Sequence, residues 1–225
     1  EEYTIYHYQK DCREKIKDIQ SKNKTPILVG GTGLYIKAAL YDYKLSEEKS
    51  TNTYDNLTNE ELYEELKKLD KDIIIDKDNR RRLIRAINYY KENNESINKN
   101  KTNKLLYNVI FIGLTTDRQV LYDKINKRVD EMISQGLLEE VKSFYDKGIK
   151  SKPLLNAIGY RELYNYLDGN CTKEEAIEKI KQNSRHYAKR QYTFFNHQLP
   201  VVWFETDYNN FNNTIEKVAS YIDSN

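Results

Sequence analysis

The apolar residues at the start of this chain follow two different spacings. From Ile5 to Ile19 they recur every three or four positions, which predicts an amphipathic helix. Residues 26–29 are a short, wholly apolar run, typical of a strand buried on both faces. This run leads directly into the glycine-rich residues 30–33, and a helical pattern resumes over residues 34–40. The predicted order is therefore helix, strand, glycine turn and helix.

The second half of the chain repeats this order. Residues 109–112 are another apolar run and predict a second buried strand. Thr116 is followed three positions later by Gln119, which fits a capping box, so we expect Thr116 to cap the next helix. Four further elements are predicted downstream: a helix after a break at Gly136, a helix from Thr172 to Phe195, a strand at 201–204 and a terminal helix from Phe211 to Ile222.

Alternating apolar strands and amphipathic helices predict an α/β fold with a mainly parallel sheet flanked by helices. Residues 46–104 differ because they are polar and contain two short helical patterns, at 59–69 and 79–90. We expect residues 1–45 and 105–225 to form the α/β core. Residues 46–104 are then a helical, partly mobile insertion that carries a basic helix.

Composition and charge narrow the class of protein. The chain is 225 residues long with 38% hydrophobic residues, and no apolar run approaches the length of a membrane span. Cys12 and Cys171 lie far apart without metal-ligand spacing, so we expect a reducing, cytoplasmic compartment rather than a disulfide scaffold. Nine of the ten arginines lie from Arg80 onward. Because a guanidinium binds two phosphate oxygens at once, this favours a phosphate-bearing partner, with surface solubility as the alternative.

Two strand-to-helix junctions carry candidate chemistry. Gly30, Gly31 and Thr32 form a turn in which glycine permits positive φ and close approach to a ligand, and the Thr32 hydroxyl can donate to phosphate. The alternative is a tight turn without a ligand, and no Gly-x-x-x-x-Gly-Lys-Ser/Thr pattern occurs in the chain. Arg118 is expected near a helix N-terminus, where its charge opposes the helix dipole. An anion could compensate it, or the arginine could simply be solvated.

Two basic clusters are candidates for nucleic-acid contact. Arg81, Arg82 and Arg85 share one side of a helix, which is costly unless phosphates or acidic neighbours screen them. Residues 184–195 interleave basic, amide and aromatic side chains, a pattern that suits RNA. The alternative places these aromatics in the core and these charges in water. The sequence contains no nucleophile–His–carboxylate set and no metal-ligand cluster.

Six blocks, in order, carry a recognisable signature: 26–35 (PILVGGTGLY), 79–86 (NRRRLIRA), 117–130 (DRQVLYDKINKRVD), 136–141 (GLLEEV), 157–163 (AIGYREL) and 187–191 (YAKRQ). Together they resemble the tRNA dimethylallyltransferase (isopentenyl-diphosphate:tRNA transferase) family. The resemblance implies a P-loop-NTPase-like core, in a cytoplasmic monomer without membrane contact. It also implies transfer of a dimethylallyl group from dimethylallyl diphosphate to N6 of the adenine 3′ of the tRNA anticodon, with Mg²⁺ assisting.

The resemblance also assigns residues. It places Thr32 and Arg118 at the reaction centre as catalytic residues, and Gly30 and Gly31 with them at the diphosphate. The residues that it assigns to the tRNA anticodon stem-loop are Arg81, Arg82, Arg85, Leu155, Asn156, Ala157, Ile158, Gly159, Tyr160, Arg185, His186, Lys189, Arg190 and Gln191.

The sequence departs from the family pattern in two places. The family begins with a P-loop strand followed by an aspartate general base, and this sequence matches neither. We therefore expect a truncated sequence that by itself lacks P-loop diphosphate binding and proton abstraction. Residues 46–76 are also shorter than the helical insertion of the family. Two other functions stay open: an RNA-binding module without catalysis, and a prenyltransferase acting on free adenine nucleotides.

Overall fold

The computed structural model describes residues 3–43, 45, 54–98 and 103–225, and the chain divides into two units, Glu1–Val109 and Ile110–Asn225. The helices described in the first unit are α1 Ile5–Ser21, α2 Gly33–Leu40, α3 Asn59–Leu69 and α4 Arg80–Asn93. The elements of the second unit are β1 Ile112–Thr115, α5 Arg118–Ser134, α6 Leu137–Tyr145, α7 Lys152–Asn156, α8 Tyr160–Leu167, α9 Lys173–Gln198, β2 Val202–Glu205 and α10 Phe211–Asp223.

Helix α1 is fastened to the end of α2 by two polar side chains. The amide of Gln9 donates to the carbonyl oxygens of Ala38 (2.6 Å) and Tyr43 (2.7 Å). The Arg13 guanidinium donates to the carbonyls of Ala38 (3.1 Å) and Tyr41 (2.7 Å). Because the last carbonyls of a helix have no partner within it, the bonds to Ala38 satisfy a carbonyl that α2 itself leaves unpaired. They hold in place the helix that follows the glycine turn.

Helices α3 and α4 pack through a small apolar core of their own. Leu62 and Leu66 of α3 meet Leu83 and Ile87 of α4, and all four side chains are fully buried. Truncating one such side chain to alanine typically costs about 2–5 kcal/mol. This core orients the outer face of α4, where the arginines lie.

The sheet of the second unit pairs β1 and β2 in parallel, with Gly113 opposite Trp203. A Cβ on Gly113 would lie 2.4 Å from Cε3 of Trp203, so the absence of a side chain makes room for the indole. The indole stacks on Tyr192 of α9 with centroids 5.1 Å apart, and its Nε1 donates to Oδ1 of Asn196 (2.8 Å). These contacts hold the C-terminal half of α9 against the sheet.

The apolar core of the second unit lies among α5, α6, α8 and α9. Its buried members are Val129, Leu137, Val141, Leu163, Tyr164, Ala176 and Ile180. Gly136 begins α6 with φ +102°, and Thr172 caps α9 in a capping box with Glu175. Both helix starts confirm the sequence predictions.

The predicted α/β class, a parallel sheet flanked by helices, is confirmed. Helices α3 and α4 fall inside the predicted insertion, residues 46–104, of which 46–53 and 99–102 lie outside the described residues. The grouping of residues 1–45 with 105–225 as one core stays a prediction. Across the described ranges, no helix is both long and apolar enough to cross a lipid bilayer.

Two strand predictions need correction. Residues 26–29 form no strand, and Ile27 and Val29 are 84% and 88% exposed. A strand needs a hydrogen-bonded neighbour, and no other described residue pairs with this run. The strand predicted at 109–112 lies instead at Ile112–Thr115, because pairing with Val202–Glu205 sets its register. Apolar character alone does not specify the partner of a strand.

Candidate functional site

The glycine turn before α2 carries the exposed hydroxyl of Thr32. Thr32 is the N-cap of α2 and is exposed, yet its side chain makes no capping hydrogen bond. Its carbonyl accepts the amides of Tyr35 (2.9 Å) and Ile36 (3.2 Å), so the helix start is formed by backbone alone. A Cβ on Gly30 would meet nothing within 4 Å. The turn therefore leaves space beside the backbone together with a hydroxyl donor.

The glycines of this turn do not use the conformational freedom predicted for them. The glycines with positive φ are Gly136, Gly148, Gly159 and Gly169, and residues 30, 31 and 33 are not among them. The turn therefore does not adopt the positive φ that glycine permits. What glycine provides at position 30 is open space beside the backbone, which is compatible with close approach of a ligand.

Arg118 is the first residue of α5, directly after the carboxyl end of β1. Its Nε donates to the hydroxyl of Tyr122 (3.0 Å), and its guanidinium carbon lies 5.1 Å from the centre of the Tyr122 ring. The two terminal nitrogens of Arg118 have no partner in the part of the chain that is described. The tyrosine thus steadies an exposed guanidinium whose outer edge is available to an anion.

The cap of α5 is Asp117 and not Thr116 as predicted. Oδ1 of Asp117 accepts from the amides of Gln119 (2.7 Å) and Val120 (3.2 Å). A carboxylate caps better than a hydroxyl at this position because it also interacts favourably with the helix dipole. Since Asp117 uses these amides, an anion at this helix start would depend on the guanidinium of Arg118 rather than on free N–H groups.

The basic helix α4 carries four arginines, of which one anchors a neighbouring segment and three are exposed. Arg80 donates to the carbonyls of Leu57 and Tyr54, both at 2.6 Å, and so anchors the segment before α3. Within the described ranges, no carboxylate forms an ion pair with Arg81, Arg82 or Arg85. The alternative in which acidic neighbours screen these arginines does not apply to the described residues. Three positive charges therefore face solvent along one helix without an ion-pair partner among the described residues.

The segment from Leu155 to Tyr160, called here the 155–160 turn, runs from the last two residues of α7 through the turn at 157–159 to the first residue of α8. Asn156 is exposed, whereas Gly159 is buried and has φ +102°. The amide of Gly159 donates to Oε2 of Glu162 (2.8 Å), and the Tyr160 hydroxyl donates to Glu140. Gly159 shapes the turn, while Leu155, Ala157, Ile158 and Tyr160 are partly exposed.

Glu162 is a buried carboxylate beneath this turn, and it is absent from the site predicted by the sequence. Burial alone would raise its pKa, but hydrogen bonds from Arg161, Gly159 and Asn183 outweigh burial and hold the pKa below its usual value. Asn183 belongs to α9 and donates to Oε1 of Glu162 at 2.7 Å. The capping pattern of Gly159 followed by Glu162 was visible in the sequence, but the contact with α9 was not.

Helix α9 carries the second basic cluster on a solvent-facing side. His186, Lys189 and Arg190 are exposed, and Gln191 is half-buried. Arg185 is also half-buried and donates from Nη1 to Oδ1 of Asn126 on α5 (2.5 Å). The charges are therefore displayed on a helix that side-chain hydrogen bonds tie to its neighbours.

The sequence left two roles open for the aromatic residues of α9, RNA contact and packing in the core. Each role fits some of these residues. Tyr192 stacks on Trp203 and shares a hydrogen bond of 2.9 Å with the hydroxyl of Thr115, and Phe195 meets Trp203 edge-on. These rings pack against the sheet, as the alternative predicted. Tyr187 is 40% exposed with Arg190 above its ring, and Phe194 lines an open groove. The other residues lining that groove are Lys189, Arg190, Thr193, His197 and Gln198.

The two proposed catalytic residues belong to different units. Thr32 lies in Glu1–Val109 and Arg118 in Ile110–Asn225. Within the second unit, α9 is bonded to Glu162 of α8 through Asn183, to α5 through Arg185 and to the carboxyl end of β1 through Tyr192. Glu162 also accepts the amide of Gly159 in the turn before α8. The fold thus joins three of the segments singled out in the sequence.

Comparison with known proteins agrees with this architecture. A family model described as IPP transferase matches residues 1–198 of the chain. A tRNA dimethylallyltransferase from Anoxybacillus flavithermus is 45% identical, covering 99% of this chain and 75% of that protein. The crystal structure of the full-length tRNA isopentenylpyrophosphate transferase from Bacillus halodurans matches with a TM-score of 0.71 at 38% identity, covering 100% of this chain and 74% of that one. A eukaryotic dimethylallyltransferase acting on tRNA matches with a TM-score of 0.83 at 24% identity, covering 97% of this chain and 61% of that one, which supports the fold alone.

These likenesses first define a class, the α/β proteins with a P-loop-like core flanked by helices. Within that class, the chain belongs to the IPP transferase family. The resemblance carried by the six sequence blocks is thereby confirmed.

Proposed function

We propose that the full-length protein transfers a dimethylallyl group from dimethylallyl diphosphate to N6 of the adenine 3′ of the anticodon in tRNA. The observation that carries this proposal is the 45% identity to a tRNA dimethylallyltransferase across 99% of the chain. The exposed arginines of α4, which form no ion pair with any described residue, and the basic face of α9 are independent support for an RNA substrate.

The transfer is a substitution at the allylic carbon. The lone pair of N6 forms a bond to C1 of the dimethylallyl group while the bond from C1 to the diphosphate oxygen breaks. The electron pair of that bond leaves with the diphosphate, and N6 gives its extra proton to a base. The family assigns this base to an aspartate that the present sequence does not match. The roles proposed for residues of this chain therefore concern the leaving group and the RNA.

Thr32 and Arg118 are proposed to stabilise the charge that develops on the diphosphate. The Thr32 hydroxyl makes no capping bond, and Gly30 beside it leaves the backbone open. The terminal nitrogens of Arg118 have no partner within the described ranges, and Tyr122 steadies the side chain. Donors fixed in advance at the site of developing charge are among the largest contributions to catalysis. Gly30 and Gly31 would hold the diphosphate by their backbone.

The tRNA anticodon stem-loop is proposed to contact three segments. Two are basic: Arg81, Arg82 and Arg85 on α4, and residues 185–191 on α9. The third is the turn at 155–160, which has little charge and would contribute shape and backbone groups. Since the target adenine must leave its stack to meet the allylic carbon, phosphate contacts from the basic segments would hold the RNA while the base is extruded.

Mg²⁺ is proposed only as an ion that is bound to the diphosphate. Among the described residues, no three His, Cys, Asp or Glu side chains converge to form a metal site. Diphosphate oxygens are themselves good ligands for this ion, whose charge favours departure of the leaving group.

The experiment offers the full-length protein two acceptors with dimethylallyl diphosphate and Mg²⁺. One acceptor is a tRNA anticodon stem-loop and the other is free AMP, and prenylated product is measured for each. The proposal expects product on the stem-loop alone. Product on AMP alone would favour a nucleotide prenyltransferase, and tight RNA binding without product would favour an RNA-binding module.

A further inference from the structure

Glu162 lies where two of the proposed RNA-contacting segments meet. Its side chain is 3% exposed, and it accepts hydrogen bonds on both carboxylate oxygens. Oε2 accepts the amide of Gly159 at 2.8 Å. Oε1 accepts from Nε (3.0 Å) and Nη2 (2.6 Å) of Arg161 and from Nδ2 of Asn183 (2.7 Å).

The three donors come from different parts of the second unit. Gly159 is in the turn at 155–160, where its φ of +102° gives the turn its shape. Arg161 is on α8, and its side chain is 53% exposed, so part of the guanidinium reaches solvent. Asn183 is on α9, two positions before Arg185, where the basic cluster begins. One carboxylate thus joins the turn, an exposed guanidinium and the basic helix.

We infer that Glu162 is a positioning residue for RNA binding, which fixes the 155–160 turn and the basic face of α9 in a single arrangement. This inference rests on the proposed function, because it deepens the assignment of those two segments to the tRNA. Glu162 itself does not touch the RNA and acts through Gly159, Arg161 and Asn183.

If Glu162 only stabilised the fold, an apolar side chain at this position would avoid the free-energy cost of desolvating a carboxylate. Glu162 is next to Leu163, which is fully buried in the core of the second unit. Replacing buried ionic groups by well-packed apolar residues is often neutral or stabilising. A carboxylate costs desolvation at this position, but it alone among side chains of this size can accept from an amide, a guanidinium and a carboxamide together.

The positions of the RNA-binding groups matter because the RNA itself fixes the distances between its phosphates. The protein groups must match those distances. A guanidinium held by two of its nitrogens loses less conformational freedom when its remaining edge binds an anion. Arg161 is held in this way by Oε1 of Glu162. Loss of Glu162 would release Arg161 and remove the carboxylate that Gly159 and Asn183 share, which should weaken RNA binding without changing the allyl diphosphate site.

The test compares Glu162→Ala and Glu162→Gln with the wild type in the full-length protein. Michaelis constants for the anticodon stem-loop and for dimethylallyl diphosphate are measured separately, together with kcat. For Glu162→Ala we expect the KM for RNA to rise about tenfold, as for one lost charge-assisted hydrogen bond, with the KM for dimethylallyl diphosphate within about twofold. Glu162→Gln should recover part of the loss, because its amide oxygen still accepts from Arg161 and Asn183 while its NH2 group cannot accept from the amide of Gly159.

Two further variants complete the design. Glu216→Ala removes an exposed carboxylate from α10 and should leave both Michaelis constants unchanged. Asn183→Ala removes one donor and leaves the buried carboxylate bonded to Arg161 and Gly159, so it tests the idea even if Glu162→Ala does not fold. We expect Asn183→Ala to raise the KM for RNA severalfold with little effect on the allyl substrate.

The outcomes separate this inference from the proposed function. A wild-type protein that does not prenylate the stem-loop contradicts the proposed function. If the wild type is active and a folded Glu162→Ala or Asn183→Ala variant keeps the wild-type KM for RNA, the positioning role is wrong. The role is also wrong if the KM values for both substrates rise equally, since that pattern means general loosening of the second unit.

Discussion

Replacing Arg81 and Arg85 by alanine should weaken the dependence of RNA binding on salt. Both side chains are exposed on α4, and neither forms an ion pair within the described part of the chain. The helix itself stays anchored by Leu83, Ile87 and Arg80, and alanine is a better helix former than arginine. The double variant therefore removes two charges with little expected effect on folding.

The size of the effect follows from counterion release. Each phosphate contact contributes about 0.9 to the slope of log affinity against log salt for duplex and about 0.7 for single strands. Because the anticodon arm contains both, two lost contacts should flatten the slope by about 1.4–1.8. Between about 50 and about 200 mM salt, the advantage of the wild type over the variant should then shrink about tenfold.

The assay is fluorescence anisotropy of a labelled anticodon stem-loop over a series of salt concentrations. A matched control is Lys10→Ala with Lys17→Ala, which removes the same charge from two exposed positions of α1. The control should leave the slope unchanged. An unaltered slope in the arginine variant would assign Arg81 and Arg85 to the solvated surface. Equal flattening in both variants would mean that net charge alone governs binding.

Three further perturbations probe the second unit. Arg118→Ala in the full-length protein should lower kcat by about 10²-fold or more with tRNA affinity nearly intact, as expected for a lost transition-state donor, and unchanged turnover would remove Arg118 from the active site. Gly113→Ala should lower the free energy of unfolding by about 1–3 kcal/mol, measured by urea denaturation, because the new Cβ meets Trp203 at 2.4 Å; a stability equal to the wild type would contradict this packing. The pKa of Glu162 is lowered from its usual 4.5, so its ionised form should stabilise the fold above that pH and lose this contribution as the pH falls through the lower, folded value. Denaturation of Glu162→Gln across this acid range should show a weaker pH dependence than the wild type, and identical profiles would contradict the hydrogen-bonded carboxylate.

The helices were predictable from the sequence because their signals are local. The spacing of Ile5 to Ile19 matches α1, and the pair Thr172 and Glu175 marks the start of α9. Local signals gave a wrong prediction where two neighbouring residues could both cap the same helix. Thr116 and Asp117 could each cap α5, and the structure favours the carboxylate.

The strands were less predictable because strand formation depends on residues far away in the sequence. The apolar residues 26–29 have the composition of a strand but no described neighbour, whereas β1 takes its register from Val202–Glu205. The same limit applies to the candidate site. The contacts of Glu162 with Asn183 and of Thr115 with Tyr192 join residues 21 and 77 positions apart, which no short motif specifies.

The proposed chemistry is tested most directly by identifying the nucleoside that is formed. The full-length protein is incubated with dimethylallyl diphosphate and one of two anticodon stem-loops, which carry either adenine or purine, lacking the exocyclic amine, 3′ of the anticodon. Each RNA is then digested and its nucleosides are identified by mass spectrometry. We predict N6-dimethylallyladenosine from the adenine stem-loop and no prenylated nucleoside from the purine one. Prenylation of both RNAs, or of neither, would contradict transfer to N6 of that adenine.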